Sequence, residues 1–285
     1  MIKLALIFPK DYGETPMEVS PPFNLGYLAS YSLMYAERNN IPLEVRIIDE
    51  VVGQDVKKSI FEFKPDIVGI TATSLVIKRG YDIADFCREN TDALVIIGGP
   101  HVSALPDEGL LHAHIIIKGD GELALAEIIQ QYHTQKFKNK GVIIETPYIK
   151  EIDEVPMPAF HLMDMSFYTN SKRNVLQTFK FSPIENVGAA LITSRGCPFK
   201  CVFCHNSKRT KPVRFHSAQR VITEIKYLMD TYGVNAIFFF DDEFLTSKRR
   251  VREICRLIRE NDLKFQWACQ ARADIEHAHK HENPL

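Results

Sequence analysis

The chain has 285 residues, 45% of them hydrophobic and 25% charged, with a formal net charge of −1. That is the composition of a globular protein with room for two domains. So even a balance carries no electrostatic footprint for nucleic acid or an anionic membrane, and no apolar stretch is long enough to span a bilayer. Six cysteines without an export signal suit a reducing cytoplasm.

In the first half, short β-rich runs at 2–8, 43–48, 67–71, 93–97 and 114–117 are bounded by Pro, Asp or Gly, the pattern of buried parallel strands. Helical patterns fill the gaps at 23–38, 54–63, 77–90, 104–112 and 121–133. Regular alternation predicts a doubly wound, Rossmann-like α/β domain over 1–140, with ligands outside the C-terminal strand ends. Those ends are glycine-rich: Gly98, Gly99, Pro100 and His101 close the fourth strand, and Gly119, Asp120 and Gly121 lead from the fifth into a helix. Glycine there lets a backbone approach a bulky ligand, and the helix N-terminus offers free N–H groups. No G-x-G-x-x-G follows the first strand, where PKDYG (9–13) stands, so a dinucleotide site is disfavoured.

Residues 141–187 read as a connector. GVIIE (141–145) and YIKE (148–151) suggest a small strand pair, and VPMPAFHLMD (155–164) is a proline-broken strap. His161 and Tyr168 could face a substrate, although packing explains them as well.

An apolar run, AALIT (189–193), then leads into SRGCPFKCVFCH (194–205), which spaces Cys197, Cys201 and Cys204 as C-x3-C-x2-C. Three thiolates on one short loop can hold three irons of a [4Fe–4S] cube and leave the fourth open. An open iron can chelate an amine and a carboxylate. The alternative is a structural zinc with His205 as fourth ligand, although no second close cysteine pair is present. Cys87, Cys255 and Cys269 lie singly in apolar surroundings and read as small buried hydrophobes.

The βα rhythm resumes with a helical face over 217–229 and a strand at 236–240 ending in Asp241, Asp242 and Glu243. Three carboxylates at a strand end need cations or donors; a solvated turn with a helix cap near Ser247 is the plainer reading. A third strand over 266–274 brings Gln270 and Arg272 to the same mouth, where Arg272 could fork a carboxylate or pair with Asp242. About 90 residues follow Cys197, room for roughly three βα units, and the histidine-bearing stretch 276–285 reads as a solvated tail.

The cysteine loop, with aromatic Phe203 before its last cysteine, resembles that of the radical S-adenosylmethionine (radical SAM) enzymes. The resemblance implies a [4Fe–4S] cluster on Cys197, Cys201 and Cys204, S-adenosylmethionine as co-substrate, and Phe203, Asp241, Asp242, Glu243, Gln270 and Arg272 as candidates to contact it. The first half resembles the cobalamin-binding domain preceding one large subgroup of that family. PPFNLGYLA (21–29), Asp49, TATSL (71–75) and Gly98-Gly99 match in order. By that resemblance Asp49, Thr73, Leu75, Gly98, Gly99, Gly119 and Gly121 would line the corrin and its nucleotide tail. The D-x-H-x-x-G loop that supplies a cobalt ligand in many cobalamin proteins is absent, so cobalt would bind without it, or the domain is vestigial.

The expected protein is thus a cobalamin-type domain (1–140), a connector (141–187) and the first half of a radical SAM barrel (188–285), since the family's partial barrel has six units. The implied reaction is reductive cleavage of S-adenosylmethionine to functionalise an unactivated carbon, with methyl transfer from cobalamin as one outcome. An oxidoreductase or cyclase, or an inactive assembly module, are the alternatives. Implied partners are a small-molecule substrate, an electron donor such as flavodoxin or ferredoxin, and a partner chain or second copy along the open half barrel.

Overall fold

The computed structural model describes residues 1–10, 20–135, 141–170, 187–204 and 212–272. They form two compact units, the first within 1–16, 22–149 and 155–164, the second within 17–21, 150–154 and 165–285.

The first unit runs β1 (Ile2–Phe8), α1 (Phe23–Arg38), β2 (Leu43–Asp49), α2 (Val56–Phe63), β3 (Ile67–Thr71), α3 (Ile77–Asn90), β4 (Leu94–Gly98), α4 (Pro100–Ala104), α5 (Pro106–Gly109), β5 (Ile115–Lys118), α6 (Glu122–His133) and β6 (Val142–Glu145). Its strands are all parallel in the order β2-β1-β3-β4-β5-β6. Alternate side chains of a strand serve opposite faces. Ala5 and Ile7 join the core beneath α2 and α3, with Ile60, Phe63, Val68, Ile70, Ile83 and Val95. The chain turns in opposite directions at β1 and β3, so this order has its switch point there, and ligands of such sheets bind outside the strand ends beside it.

Two local expectations are corrected. The helix expected over 104–112 breaks at Leu105, which is non-helical (φ −128°, ψ 64°) ahead of Pro106; a residue before proline is pushed out of the helical region, and Pro106 starts a new turn. The run at 142–145 does not pair with 148–151 but extends the main sheet, Ile115 opposite Val142 and Lys118 opposite Glu145. Strap residues 158–163 rest on α1, and Gly26 makes the room: a β-carbon there would lie 2.9 Å from Cβ of Pro158 and 3.0 Å from Cε of Met163. Ala159 N donates to Gly26 O at 3.0 Å.

The second unit contains α7 (Met165–Asn170), β7 (Gly188–Leu191), β8 (Ser194–Arg195), β9 (Arg214–Phe215), α8 (Ala218–Tyr232), β10 (Ala236–Phe239), α9 (Lys248–Glu260) and β11 (Gln266–Cys269). β7, β10 and β11 form a parallel sheet in the order β11-β10-β7, and β8 pairs antiparallel with β9. Phe239 stacks on Phe244 with ring centroids 4.5 Å apart, and Trp267 lies edge-on to Phe239 at 5.5 Å. Among the described residues, no helix is long and apolar enough to cross a membrane.

Candidate functional site

The cysteine loop leaves the C-terminal end of β7. Its base is the ribbon of β8 and β9, in which Ser194 pairs with Phe215 and Arg195 with Arg214, and Gly196 makes the exit at φ +90°. A short ribbon is weak alone, and two buried charges from neighbouring elements reinforce it. The Asp241 carboxylate accepts from Thr193 N (2.7 Å), Thr193 Oγ1 (2.5 Å) and Ser194 N (2.5 Å). Arg250, on α9, donates through Nη2 to Thr193 O (2.8 Å) and through Nε to His216 O (3.0 Å), tying both legs together. Burial raises the Asp241 carboxyl, while Thr193, Arg250 and Ser194 oppose that rise. Burial likewise lowers the Arg250 guanidinium against the pull of Asp241. His216 Nδ1 in turn meets Asp153 Oδ1 at 2.9 Å, and Asp153 also accepts from Ser217 N at the start of α8.

The three carboxylates expected at one mouth therefore separate. Asp241 faces inward as part of the frame. Asp242 is exposed, and its charge, with those of Glu243 and Cys204, adds to the larger effect of burial in raising the Cys197 thiol. Glu243 is buried, its Oε1 accepting from Leu245 N (3.1 Å) and its Oε2 from Arg272 N (2.8 Å). Arg272 lies on the loop itself, Nη1 3.5 Å from Cys201 Sγ and the guanidinium 4.2 Å from the centre of the Phe199 ring. Gln270 is exposed and contributes its backbone carbonyl to Phe244 N (3.1 Å). Phe203 is 90% exposed. Cys197, Cys201 and Cys204 are half-buried and outside any disulfide, as are Cys255 and Cys269, against the expectation that those two are buried; Cys87 is buried. His205 and the 276–285 stretch lie outside the described residues.

Sequence reasoning missed Arg250, His216 and Asp153, because each acts through partners far away in the chain. One signal was available. Helix α9 opens Lys248-Arg249-Arg250 with no acidic residue in its first turn, opposing the helix dipole. Lys248 and Arg249 are exposed to solvent, whereas Arg250 is buried and donates to two backbone carbonyls.

In the first unit, Asp49, Thr73, Leu75, Gly98, Gly99, Gly119 and Gly121 all fall at the C-terminal edge of the sheet. Asp49 is buried and caps its own turn, Oδ1 accepting from Val51 N at 2.9 Å. Thr73 and Leu75 are exposed beyond β3. Gly99, at φ +111°, passes so close to Ala72 that a β-carbon would lie 2.6 Å from its carbonyl oxygen. Gly98 has no such internal reason, since its β-carbon would meet only Ile117 O, at 3.8 Å. Ser103 Oγ links two glycine turns, donating to Gly99 O (2.8 Å) and accepting from Gly119 N (3.2 Å). At Gly121 a β-carbon would sit 3.0 Å from Leu28 Cδ2, a packing constraint. His101 is held sideways, Nδ1 2.9 Å from Ser74 Oγ and Nε2 3.5 Å from Glu108 Oε1. In the second unit Tyr168 is buried, whereas His161, in the first, is exposed.

The described residues thus present a doubly wound sheet with a glycine-lined edge in one unit and a three-cysteine loop at a parallel strand end in the other. Two family profiles match, the B12 binding domain over residues 20–129 and the Radical SAM superfamily over residues 191–281. The chain belongs to the radical SAM proteins that carry a B12 binding domain.

An uncharacterized methyltransferase of Pyrococcus horikoshii is 30% identical over 294 residues, covering 96% of this chain and 61% of its own length. The anaerobic magnesium-protoporphyrin IX monomethyl ester cyclase of Rubrivivax gelatinosus is 23% identical, covering 88% and 47%. The radical S-adenosylmethionine methyltransferase TsrM from Kitasatospora setae, solved with tryptophan substrate and a SAM analogue, superposes with a TM-score of 0.64 at 17% identity over 92% of this chain and 51% of that one. With cobalamin and a [4Fe–4S] cluster bound it gives 0.61 at 18%. At that identity the likeness is one of fold. The chain spans roughly half to three-fifths of the length of these relatives.

The two domains imply a [4Fe–4S] cluster, S-adenosylmethionine and cobalamin, and the residues present fit them. Three cysteines on one loop, with no second close cysteine pair in the chain, suit three irons of a cluster better than a structural zinc, which takes four ligands. For cobalamin, the fit is at Gly98, where glycine relieves no close contact within the chain, a β-carbon meeting only Ile117 O at 3.8 Å.

Proposed function

We propose that the chain carries the cofactor-binding parts of a B12-dependent radical SAM enzyme, one that reductively cleaves S-adenosylmethionine and functionalises an unactivated carbon by methyl transfer. The observation that carries this reading is the three-cysteine loop, framed at a parallel strand end, on the same chain as a B12 binding domain. Cys197, Cys201 and Cys204 would hold three irons, leaving the fourth position for the amine and carboxylate of S-adenosylmethionine. When bound, the cluster supplies the electron for cleavage and cobalamin a carrier for the methyl group.

The remaining work belongs to the chain. Asp241 and Arg250 hold the legs of the loop, so the thiols approach the cluster from a fixed base. Asp242, exposed and close enough to act on Cys197, suits the ammonium group of the methionine end. Thr73, Leu75 and Gly98 would meet the corrin and its tail, with Gly99 and Gly119 shaping the turns beneath. On this reading 1–140 is the cobalamin-type domain, 141–187 the connector and 188–285 the cluster-bearing half barrel. The electron would come from a small protein donor of the flavodoxin or ferredoxin kind, in a reducing cytoplasm.

Addition of hydroxocobalamin to the chain should shift its visible spectrum saturably, near one equivalent. Gly98→Leu should weaken that binding at least about tenfold, roughly 1.4 kcal/mol. No spectral change at high micromolar cobalamin would contradict cobalamin binding and leave the domain vestigial.

A further inference from the structure

From its position at a strand end, Arg272 could fork a carboxylate or pair with Asp242. The structure turns it onto the cysteine loop. Three contacts set its position, each of a different kind. Its backbone N–H donates to Glu243 Oε2 at 2.8 Å, and that carboxylate is itself buried and tied to Leu245 N. Its guanidinium lies over Phe199, 4.2 Å from the ring centroid. Its Nη1 donates to Cys201 Sγ at 3.5 Å. Phe199 stands between Cys197 and Cys201, so ring and thiol belong to one turn of one loop. The first contact fixes the backbone, the second the plane of the guanidinium, and the third aims an N–H at sulfur. A guanidinium stays charged at any pH the protein meets, and a planar cation on an aromatic face keeps its position at low entropic cost.

We propose that Arg272 tunes the electron affinity of an iron–sulfur cluster held through Cys201, raising its reduction potential by an N–H···S bond and a fixed positive charge. The inference rests on the reading that the three cysteines hold such a cluster. One electron from an external reductant adds one negative charge to the cluster and its thiolates, and no bond is made or broken in the protein. A cation and a donor at one sulfur stabilise the reduced form more than the oxidised one. Arg272 is in this sense a positioning and tuning residue. Phe199 is its shelf, and Glu243 holds its backbone in place.

The test is a potentiometric reduction of the anaerobically reconstituted chain with dithionite and mediators, followed by the paramagnetic signal of the reduced cluster, without S-adenosylmethionine. Arg272→Met should lower the equilibrium constant for reduction about tenfold or more, ~59 mV for one electron, with iron content unchanged. Arg272→Lys keeps the charge but loses the planar stack and should fall between parent and Met variant. A parent-like potential in Arg272→Met at full iron content would overturn the proposal. So would a potential that differs from the parent only after S-adenosylmethionine is added, which would assign the side chain to that ligand. Should Arg272→Met hold less iron, Arg272→Lys and Phe199→Leu decide: lowered potentials in both support the proposal, and parent-like values overturn it. A parent chain that takes up no cluster would sink the cluster reading, and this inference with it; a parent with a full cluster whose potential ignores Arg272 sinks only the inference.

Discussion

At Gly99 the backbone stands at φ +111° with room for no side chain, while Gly98 leaves 3.8 Å to the nearest atom a β-carbon would meet. Gly99→Ala should therefore cost about 1–3 kcal/mol from strain in a region that L-residues avoid, together with the contact on Ala72. Gly98→Ala should leave folding within about 0.5 kcal/mol. Urea unfolding of the two variants checks this; equal losses would mean that Gly98 too is there for the chain's own packing. The paired glycines were visible in sequence, but the difference between them was not, because it depends on Ala72, far away in the chain. The same holds among the carboxylates. Asp241, Asp242 and Glu243 read as one acidic group in sequence, yet one frames the loop, one faces solvent and one anchors Arg272. The cysteines were legible because their spacing is itself the chemical requirement.

The base of the cysteine loop depends on elements brought together from residues 153, 193–195, 214–217, 241 and 250. Near it, His216 just before α8 and Glu224 on α8 are buried titratable groups of opposite tendency. Burial lowers His216 to about 4, against Asp153, and raises Glu224 to about 7, against Arg220, whose Nε donates to it at 2.7 Å. Between its folded value and the usual histidine value, His216 binds fewer protons in the folded chain than in the unfolded one, so its contribution to stability rises with pH. Glu224 binds more protons in the folded chain up to about 7, so its contribution falls over the window above the usual carboxylate range. The two slopes oppose each other and flatten the pH dependence of the parent. Glu224→Gln keeps an acceptor for Arg220 and removes the falling part. Its stability relative to the parent should improve between about pH 5 and about pH 7, by on the order of 2–3 kcal/mol. Urea unfolding at those two pH values measures it, and a difference that stays constant with pH would contradict the assignment to Glu224. Long elements with strong periodicity were legible: α1, α3 and the buried strands lie where their patterns put them. The break at Leu105 and the pairing of β6 were not, the first because Pro106 overrides a helical pattern and the second because a four-residue apolar run does not name its partner.

At the scale of the whole molecule, two compact units each place their chemistry-bearing residues at the C-terminal ends of parallel strands. In the first unit this follows from the strand order, whose switch point opens the edge where Thr73, Leu75 and Gly98 lie. In the second it follows from β7, which ends where the cysteine loop begins. The central claim is that this loop holds a [4Fe–4S] cluster able to receive S-adenosylmethionine. It is tested most directly by anaerobic reconstitution with iron and sulfide, followed by paramagnetic resonance of the reduced protein with and without S-adenosylmethionine. The parent chain should take up about four irons and show a cluster signal that changes when S-adenosylmethionine is added, and the Cys197→Ala, Cys201→Ala, Cys204→Ala triple variant should lose both iron and signal. Equal iron and an equal signal in the triple variant, or a parent signal indifferent to S-adenosylmethionine, would contradict it.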